Sequence, residues 1–141
     1  MEVRDKRILD KIRSEARLVI GFIEGSEYDT FVQNELTKRA VTQTLANIGE
    51  LVRALSDDTK SHYSRIPWAA IRKTNNVIVH EYDDVDCKII WNVSTVHLPN
   101  TVSEINAIEA DLGSELFGVN EQRSNYKVIL EAIEEADAIG E

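Results

Sequence analysis

Residues 67–82 read PWAAIRKTNNVIVHEY, and this stretch sets the organisation of the whole chain. Its apolar residues, among them Trp68, Ile71 and Val79, recur at helical spacing after a proline that suits the first turn of a helix. Charged and amide side chains lie between them. Such side chains are not needed in a helix that serves only to pack the core. The spacing predicts a helix from about Pro67 to Val79, and the mixture indicates a functional site.

The segments before this stretch predict two further helices. Apolar residues recur at three- and four-residue steps from Asp5 to about Phe22, which predicts a first helix with one buried face. A second period runs from Tyr28 to Leu55 without a proline and predicts one long helix. The polar run Ser56–Ser61 then predicts a surface connection to the central helix.

The segments after the central helix predict the rest of the bundle. Asp86 suits the cap of a fourth helix, and Pro99 marks a break or kink before a second limb that reaches Leu116. Gly118 separates this limb from an acidic amphipathic helix, Glu121 to Ala138. No stretch alternates with a period of two. We therefore expect an all-α fold, an antiparallel bundle of four to five helices with an extra acidic C-terminal helix.

Length and composition are those of an ordinary globular domain. At 141 residues and 43% hydrophobic content, the chain is large enough to bury a core without disulfides or metals. We expect a single domain over residues 1–141, with residues 119–141 as its acidic extension. A lone Cys87, a charged N-terminus without signal-peptide features and no apolar run of bilayer length together predict a cytoplasmic protein.

The net charge of −9 is distributed unevenly along the chain. Residues 1–103 hold 14 Lys and Arg against 15 Asp and Glu, whereas residues 104–141 hold 2 against 10. The overall sign argues against a generic nucleic-acid binder, because such proteins neutralise phosphates with Lys and Arg. A local basic patch remains compatible with the nearly neutral first part, particularly where two chains combine.

Three side chains of the central helix form a candidate polar stripe. Lys73, Asn76 and His80 are spaced so that they lie near one face of a helix over roughly 10 Å. A neutral His can take a proton from a ribose 2′-hydroxyl or protonate the leaving oxygen, while amides and cations hold the phosphate. The alternative from periodicity alone is a helix-terminal His that stabilises the C-terminal dipole beside solvated amides.

Other chemical motifs are absent from the sequence. It contains no Gly-rich phosphate loop, Cys/His cluster or nucleophile elbow. The acidic run from Glu81 to Asp86 is explained by a loop and a helix cap without an ion. We therefore expect neither a metal nor another cofactor.

Several motifs, in the correct order, resemble the HepT-like branch of the HEPN superfamily, the toxin half of pairs whose antitoxin is a minimal nucleotidyltransferase. The matching residues are Phe31, Ala40–Glu50, Ile66–Trp68, Ile71, Asn76, Val79–Tyr82, Asp86, Ile90–Trp91 and Leu98–Pro99. The resemblance implies a helical bundle that forms a homodimer with its polar stripes facing across the two-fold interface. It also implies a metal-independent cleft that cleaves RNA, and a nucleotidyltransferase partner that neutralises it.

The family's activity rests on an Arg, a His four to six residues later, and a Tyr two residues after the His. His80 matches the second element and is implied to be the general acid/base, with Asn76 helping to position the phosphate. Asn75 stands where the family has its Arg, and an amide carries no charge to stabilise the developing dianion. Arg72 and Lys73 are the candidate substitute cations. Lys73 shares the face of His80, but the sequence does not choose between them.

Tyr82 matches the third element and has two interpretations. In HepT-like toxins this tyrosine can receive AMP groups from the antitoxin, which adds phosphate charge beside the cleft and blocks it. Alternatively, Tyr82 is an amphipathic residue whose ring packs at a helix end. The sequence favours neither.

Two functions from different classes therefore remain open. The first is an RNase toxin in which His80 is catalytic and Arg72 or Lys73 replaces the missing Arg. The second is a catalytically impaired or inactive HEPN dimer, with Asn75 in place of the Arg, that binds the nucleotidyltransferase or RNA without cutting.

Overall fold

Seven α-helices and one π-helical turn follow one another in the part of the chain that the structure describes. The computed structural model describes residues 1–80 and 86–112, with side chains throughout except at positions 75–80. The elements are α1 (Val3–Ile23), α2 (Tyr28–Gln33), α3 (Glu35–Ala54), α4 (Asp57–His62), α5 (Trp68–His80), α6 (Cys87–Asn92), the π-helical turn (Val93–His97) and α7 (Leu98–Leu112). No strand occurs in these ranges, and the all-α prediction is confirmed. The predicted acidic helix Glu121 to Ala138 lies outside the described residues.

The core lies among the four longest helices. α1 packs against α3 and α7, and α3 packs in turn against α5. α1 and α3 are antiparallel, because Arg4 near the start of α1 donates a hydrogen bond of 2.6 Å to the carbonyl of Ala54 at the end of α3. Side chains without exposed surface include Leu9, Ile12, Val19, Val41, Ile48, Val52, Leu98 and Ile105. Burial of this apolar surface is the main force that holds the helices together.

The first and central helices agree with the predictions from periodicity. The predicted helix from Asp5 to about Phe22 is α1, and the predicted helix from Pro67 to Val79 is α5. α1 buries Leu9, Ile12, Ala16 and Val19 along one face, although Phe22 at its end is 42% exposed, and α5 buries Trp68 and Ile71. Helical spacing is most reliable where one face meets the core over several turns.

The predicted single helix from Tyr28 to Leu55 is wrong because the chain breaks at Asn34. The backbone there is extended (φ −92°, ψ 94°), and the Asn34 side-chain oxygen accepts a hydrogen bond of 3.1 Å from the amide of Thr37. This cap starts α3 and separates it from α2. The break allows Phe31 to contact Trp91, with ring centroids 5.3 Å apart.

The predicted surface connection Ser56–Ser61 is also wrong, because it contains the short helix α4. Ser56 caps this helix by accepting a hydrogen bond of 3.3 Å from the amide of Thr59. The hydroxyls of Ser56 and Thr59 donate hydrogen bonds of 2.6 and 2.5 Å to the carboxylate of Asp5. Asp5 therefore ties α4 to the start of α1.

The predicted break at Pro99 takes the form of the π-helical turn. The amide of Leu98 donates to the carbonyl of Val93, five residues earlier. Proline cannot donate the hydrogen bond that an α-helix requires, and the wider turn just before it allows α7 to continue. The predicted cap upstream is confirmed, since the Asp86 side chain accepts a hydrogen bond of 2.9 Å from the amide of Lys88.

A buried ion network joins α1 to α7. Arg13 donates hydrogen bonds to Asp10 at 2.6 Å, to Asn106 at 2.9 Å, and to Glu109. Burial alone would lower the pKa of Arg13, but its bonds to Glu109 and Asp10 raise this pKa above the ordinary value. The guanidinium therefore stays charged, and its partners fix how α7 lies on α1.

Asp5 makes the stability of the fold depend on pH. Burial alone would raise the pKa of its carboxyl, but hydrogen bonds from Ser56 and Thr59 and the charge of Arg4 lower this pKa below the ordinary value. A carboxyl with a lowered pKa stabilises the folded state above the unfolded-state pKa, roughly 3.9 for Asp. The stabilisation is lost as the pH falls through the folded-state pKa.

We predict that Asp5→Asn lowers the free energy of unfolding by roughly 1–3 kcal/mol at pH 7, because hydrogen bonds to a charged group are lost. The difference from wild type should shrink as the pH falls below about 4. Urea unfolding at several pH values measures both effects. The control is Asp111→Asn, at an exposed position. An equal loss in both variants, or a loss independent of pH, would contradict this prediction.

Candidate functional site

α5 is anchored at its first residue by an indole group. The Nε1–H of Trp68 donates hydrogen bonds of 3.1 Å to the carbonyls of Lys60, in α4, and Tyr63, just after it. Ile66, two residues before α5, is buried as well. A helix held in this way at its start has a defined rotation about its axis. The two sides of α5 therefore follow from its sequence.

One side of α5 belongs to the core. Ile71 and Thr74 are each 2% exposed and Trp68 is 9% exposed, in a helix that packs against α3. The hydroxyl of Thr74 donates a hydrogen bond of 2.9 Å to the carbonyl of Ala70, so this buried polar group is satisfied within the helix. The apolar spacing that predicts the helix thus corresponds to real burial at these positions.

The other side of α5 carries two exposed cations. Arg72 and Lys73 are both exposed, and neither forms an ion pair or a hydrogen bond with another residue in the described part of the chain. Ala69, one turn before Lys73, is exposed too. Free cations on an accessible helix side can bind an anion without first breaking an internal ion pair.

Five of the predicted site residues lie on α5: Arg72, Lys73, Asn75, Asn76 and His80. The first two have described side chains, whereas positions 75–80 are described only as helix. Tyr82 lies outside the described residues. The candidate site is therefore defined by two exposed cations and by the helix positions that follow them.

The helical register divides these positions into two groups. At about 100° per residue, position 73 lies within roughly 20° of position 80, and position 76 within roughly 40° of it. Position 72 is rotated by roughly 80° and position 75 by roughly 140°. Position 75 comes one turn after the buried Ile71. The register therefore groups positions 73, 76 and 80 and separates position 75 from them.

An aromatic cluster joins α2 to α6. Phe31 is 1% exposed and contacts Trp91, whose ring also meets Tyr28 edge-on at a centroid distance of 6.0 Å. Phe31 and Trp91 are among the residues that carry the family resemblance. The structure accounts for both as packing partners, so their role is in the fold.

Ser94 is a polar residue that the sequence analysis does not single out. It is 1% exposed, and its hydroxyl has no hydrogen-bond partner within the described residues. It lies in the π-helical turn, which packs against α5. Such turns often accompany functional sites, and the sequence signal for this one is Pro99, five residues later.

Metal clusters and membrane spans are not found in the described part of the chain. Within residues 1–80 and 86–112, no group of three His, Cys, Asp or Glu side chains lies close enough to share a metal ion. In the same ranges, no helix is both long and apolar enough to cross a bilayer.

Comparison with known proteins relates this arrangement to one family. The model of the ribonuclease HepT-like family matches residues 12–108, from α1 into α7. A Methanocaldococcus jannaschii protein that is provisionally named an RNase is 30% identical over 97 residues, which cover 69% of this chain and 80% of that protein. A second protein of the same organism, named in the same way, is 30% identical over 113 residues, 79% of this chain and 97% of the relative.

A more distant relative carries the family name itself. A Thermococcus cleftensis protein named "Probable ribonuclease HepT" is 25% identical over 100 residues, 71% of this chain and 91% of the relative. No solved structure gives a significant match. Because the family model spans most of the described helices and the relatives align over most of their length, this chain belongs to the HepT-like ribonuclease family of the HEPN superfamily.

Proposed function

We propose that this chain is the toxin of a toxin–antitoxin pair and acts as a metal-independent endoribonuclease. In this proposal two copies form a homodimer, and RNA is cut in the cleft between their α5 helices. The observation that supports it most is the exposed, cation-bearing side of α5 in a chain of the HepT-like family. Two such sides facing each other would place at least four cations, Arg72 and Lys73 from each copy, along one RNA strand.

His80 is the proposed general acid/base. It takes the proton of a ribose 2′-hydroxyl, the 2′-oxygen attacks the adjacent phosphorus, and the bond to the 5′-oxygen breaks. A proton returned to the 5′-oxygen completes the step and leaves a 2′,3′-cyclic phosphate and a 5′-hydroxyl end. Asn76, one turn before His80, is proposed to hold the phosphate through its amide.

Lys73 is proposed as the cation that replaces the family's Arg. Lys73 is exposed. Its position is within roughly 20° of position 80 about the helix axis and precedes it by two turns, about 10 Å. Position 72 is rotated further from position 80, by roughly 80°. A cation on the side of the general acid/base can stabilise the charge that develops on the phosphate.

The proposed antitoxin is a minimal nucleotidyltransferase that modifies Tyr82. The tyrosine oxygen would attack the α-phosphorus of ATP, form a bond to AMP and release pyrophosphate. The added phosphate, two residues from His80, would repel RNA from the cleft. Both partners are expected in the cytoplasm.

A second candidate function is a HEPN dimer that binds the nucleotidyltransferase or RNA without cutting. Asn75 favours this function, because an uncharged amide stands where the family has a cation. The exposed side of α5 would still bind an anionic ligand, but the transition state would lack its stabilising charge.

Purified full-length protein is expected to cut tRNA or messenger RNA in excess EDTA and to leave cyclic phosphate ends. His80→Ala should reduce the rate by at least about 100-fold, the typical contribution of a general acid/base. Gel electrophoresis of end-labelled RNA measures both. If wild type leaves every RNA intact while Asn75→Arg cuts, the enzyme proposal fails and the binding function is supported.

Two neighbouring variants test the proposed cation. Lys73→Ala should lower kcat/KM by roughly 100- to 1000-fold, as expected for the loss of a group that stabilises charge in the transition state, whereas Lys73→Arg should keep most of the activity. The matched control is Arg72→Ala, which removes the same charge from an adjacent exposed position and should change kcat/KM by less than about threefold. A larger loss in Arg72→Ala than in Lys73→Ala would assign the role to Arg72.

A further inference from the structure

The outer face of the antiparallel α1–α3 pair contains a groove that the proposed function does not use. Its volume is about 570 Å³, and its lining residues are Asp10, Lys11, Ser14 and Glu15 of α1 and Asn47, Glu50 and Leu51 of α3. Lys11, Ser14, Asn47 and Glu50 are exposed. This surface is therefore open in the described part of the chain.

The groove continues into an apolar patch at one end of the same face. Leu18 and Phe22 are 49% and 42% exposed, and they follow Ser14 at successive turns of α1. Leu36, at the start of α3, is 80% exposed. Because α1 and α3 are antiparallel, the start of α3 lies beside the end of α1, so Leu36 is near Phe22. A cluster of large exposed apolar side chains at the end of a groove marks a contact surface.

We propose that residues 119–141 of the same chain dock on this face as an additional helix. Four apolar residues of this segment, Val128, Ile129, Ile133 and Ala136, have helical spacing and would form one stripe. A helix from Glu121 to Ala138 would be about 27 Å long. This length is sufficient to cover both the groove and the apolar patch, since Lys11 and Phe22 are about 17 Å apart along α1.

The last described helix, α7, lies beside α1. α7 ends at Leu112, and Glu109 in its last turn binds Arg13 of α1. Arg13 also binds Asp10, which itself lines the groove. Residues 113–118 would span up to about 20 Å if extended, a length that would let the segment reach the outer side of α1.

The charges on this face are mixed. Residues 119–141 hold six Asp and Glu against two Lys and Arg. On the outer side of α1, Arg7 and Lys11 are exposed, one turn apart, and have no ion pair within the described residues. In the groove, Glu50 is already paired with Arg53 at 3.8 Å. Asp10 and Glu15 line the groove as well, so the apolar patch beside the groove supports this occupant and the charges of the groove do not.

The family comparison fits the same occupant. The family model ends at residue 108, so the segment is an addition to the part of the chain that the family shares. An added amphipathic helix needs a surface that the shared helices leave open, and the α1–α3 face is such a surface. Docking there would leave the exposed side of α5 free for its own ligand.

Hydrogen exchange in the full-length protein tests the proposal. Leu18→Gln with Phe22→Gln should speed amide exchange within residues 121–138 by at least about tenfold, equivalent to a loss of roughly 1.4 kcal/mol of docking free energy. Val96→Gln, at a position that is 56% exposed on another element, should leave it unchanged. Exchange in α3 reports whether the core is intact. Free exchange of residues 121–138 in the wild type, or no effect of the double variant, would overturn the proposal.

A second experiment changes the C-terminal segment instead of α1 and measures the exposure of α1. Hydroxyl-radical labelling of Phe22 should rise at least about threefold in Ile129→Gln with Ile133→Gln, because the proposed cover is removed. Unchanged labelling would overturn the proposal. If a second copy of the chain covered this face instead, the Leu18→Gln, Phe22→Gln variant would have a lower mass by light scattering. Amide exchange in residues 121–138 would then be unchanged, and this combined result would also overturn the proposal.

Discussion

The burial of a single side of α5 is the constraint on which the rest of the site depends. The indole of Trp68 is held by two carbonyls near α4, and Ile71 and Thr74 follow it into the core beside α3. Rotation of the helix is thereby fixed, and Arg72 and Lys73 must lie toward solvent. The same helix provides both a wall of the core and an open surface with positive charge.

Much of this arrangement is readable from the sequence. α1 and α5 follow from helical spacing, because each keeps one face in the core for several turns. The failures occur where a local side-chain contact overrides the periodic pattern. Asn34 caps α3 inside a continuous apolar period, and Ser56 caps α4 inside a polar run. Both residues are ordinary cap formers, but only their neighbours in space decide that the chain breaks there.

The buried charges are harder to predict. Asp5 meets Ser56, 51 residues later, and Arg13 meets Glu109, 96 residues later. In a helical pattern Asp5, Asp10 and Arg13 look like surface residues, and only the packing of distant helices makes their burial favourable. For the candidate site, the helix that carries Lys73, Asn76 and His80 is confirmed, and their grouping as a functional stripe stays a prediction.

The net charge of the chain does not describe each of its faces. The chain as a whole carries −9, yet the exposed side of α5 has two cations without an ion pair in the described residues. We assign different ligands to two different faces, with RNA on α5 and the acidic C-terminal segment on the α1–α3 pair. The distribution of charge over the helices therefore matters more than its sum.

The central claim is that RNA contacts the exposed side of α5, and photocrosslinking tests it most directly. RNA containing 4-thiouridine would be irradiated with the full-length protein, and the crosslinked peptides identified by mass spectrometry. Our account predicts crosslinks concentrated within residues 68–80, whether or not the RNA is cut. Crosslinks found only on the α1–α3 face would contradict this account. So would crosslinks that an excess of unlabelled RNA does not reduce.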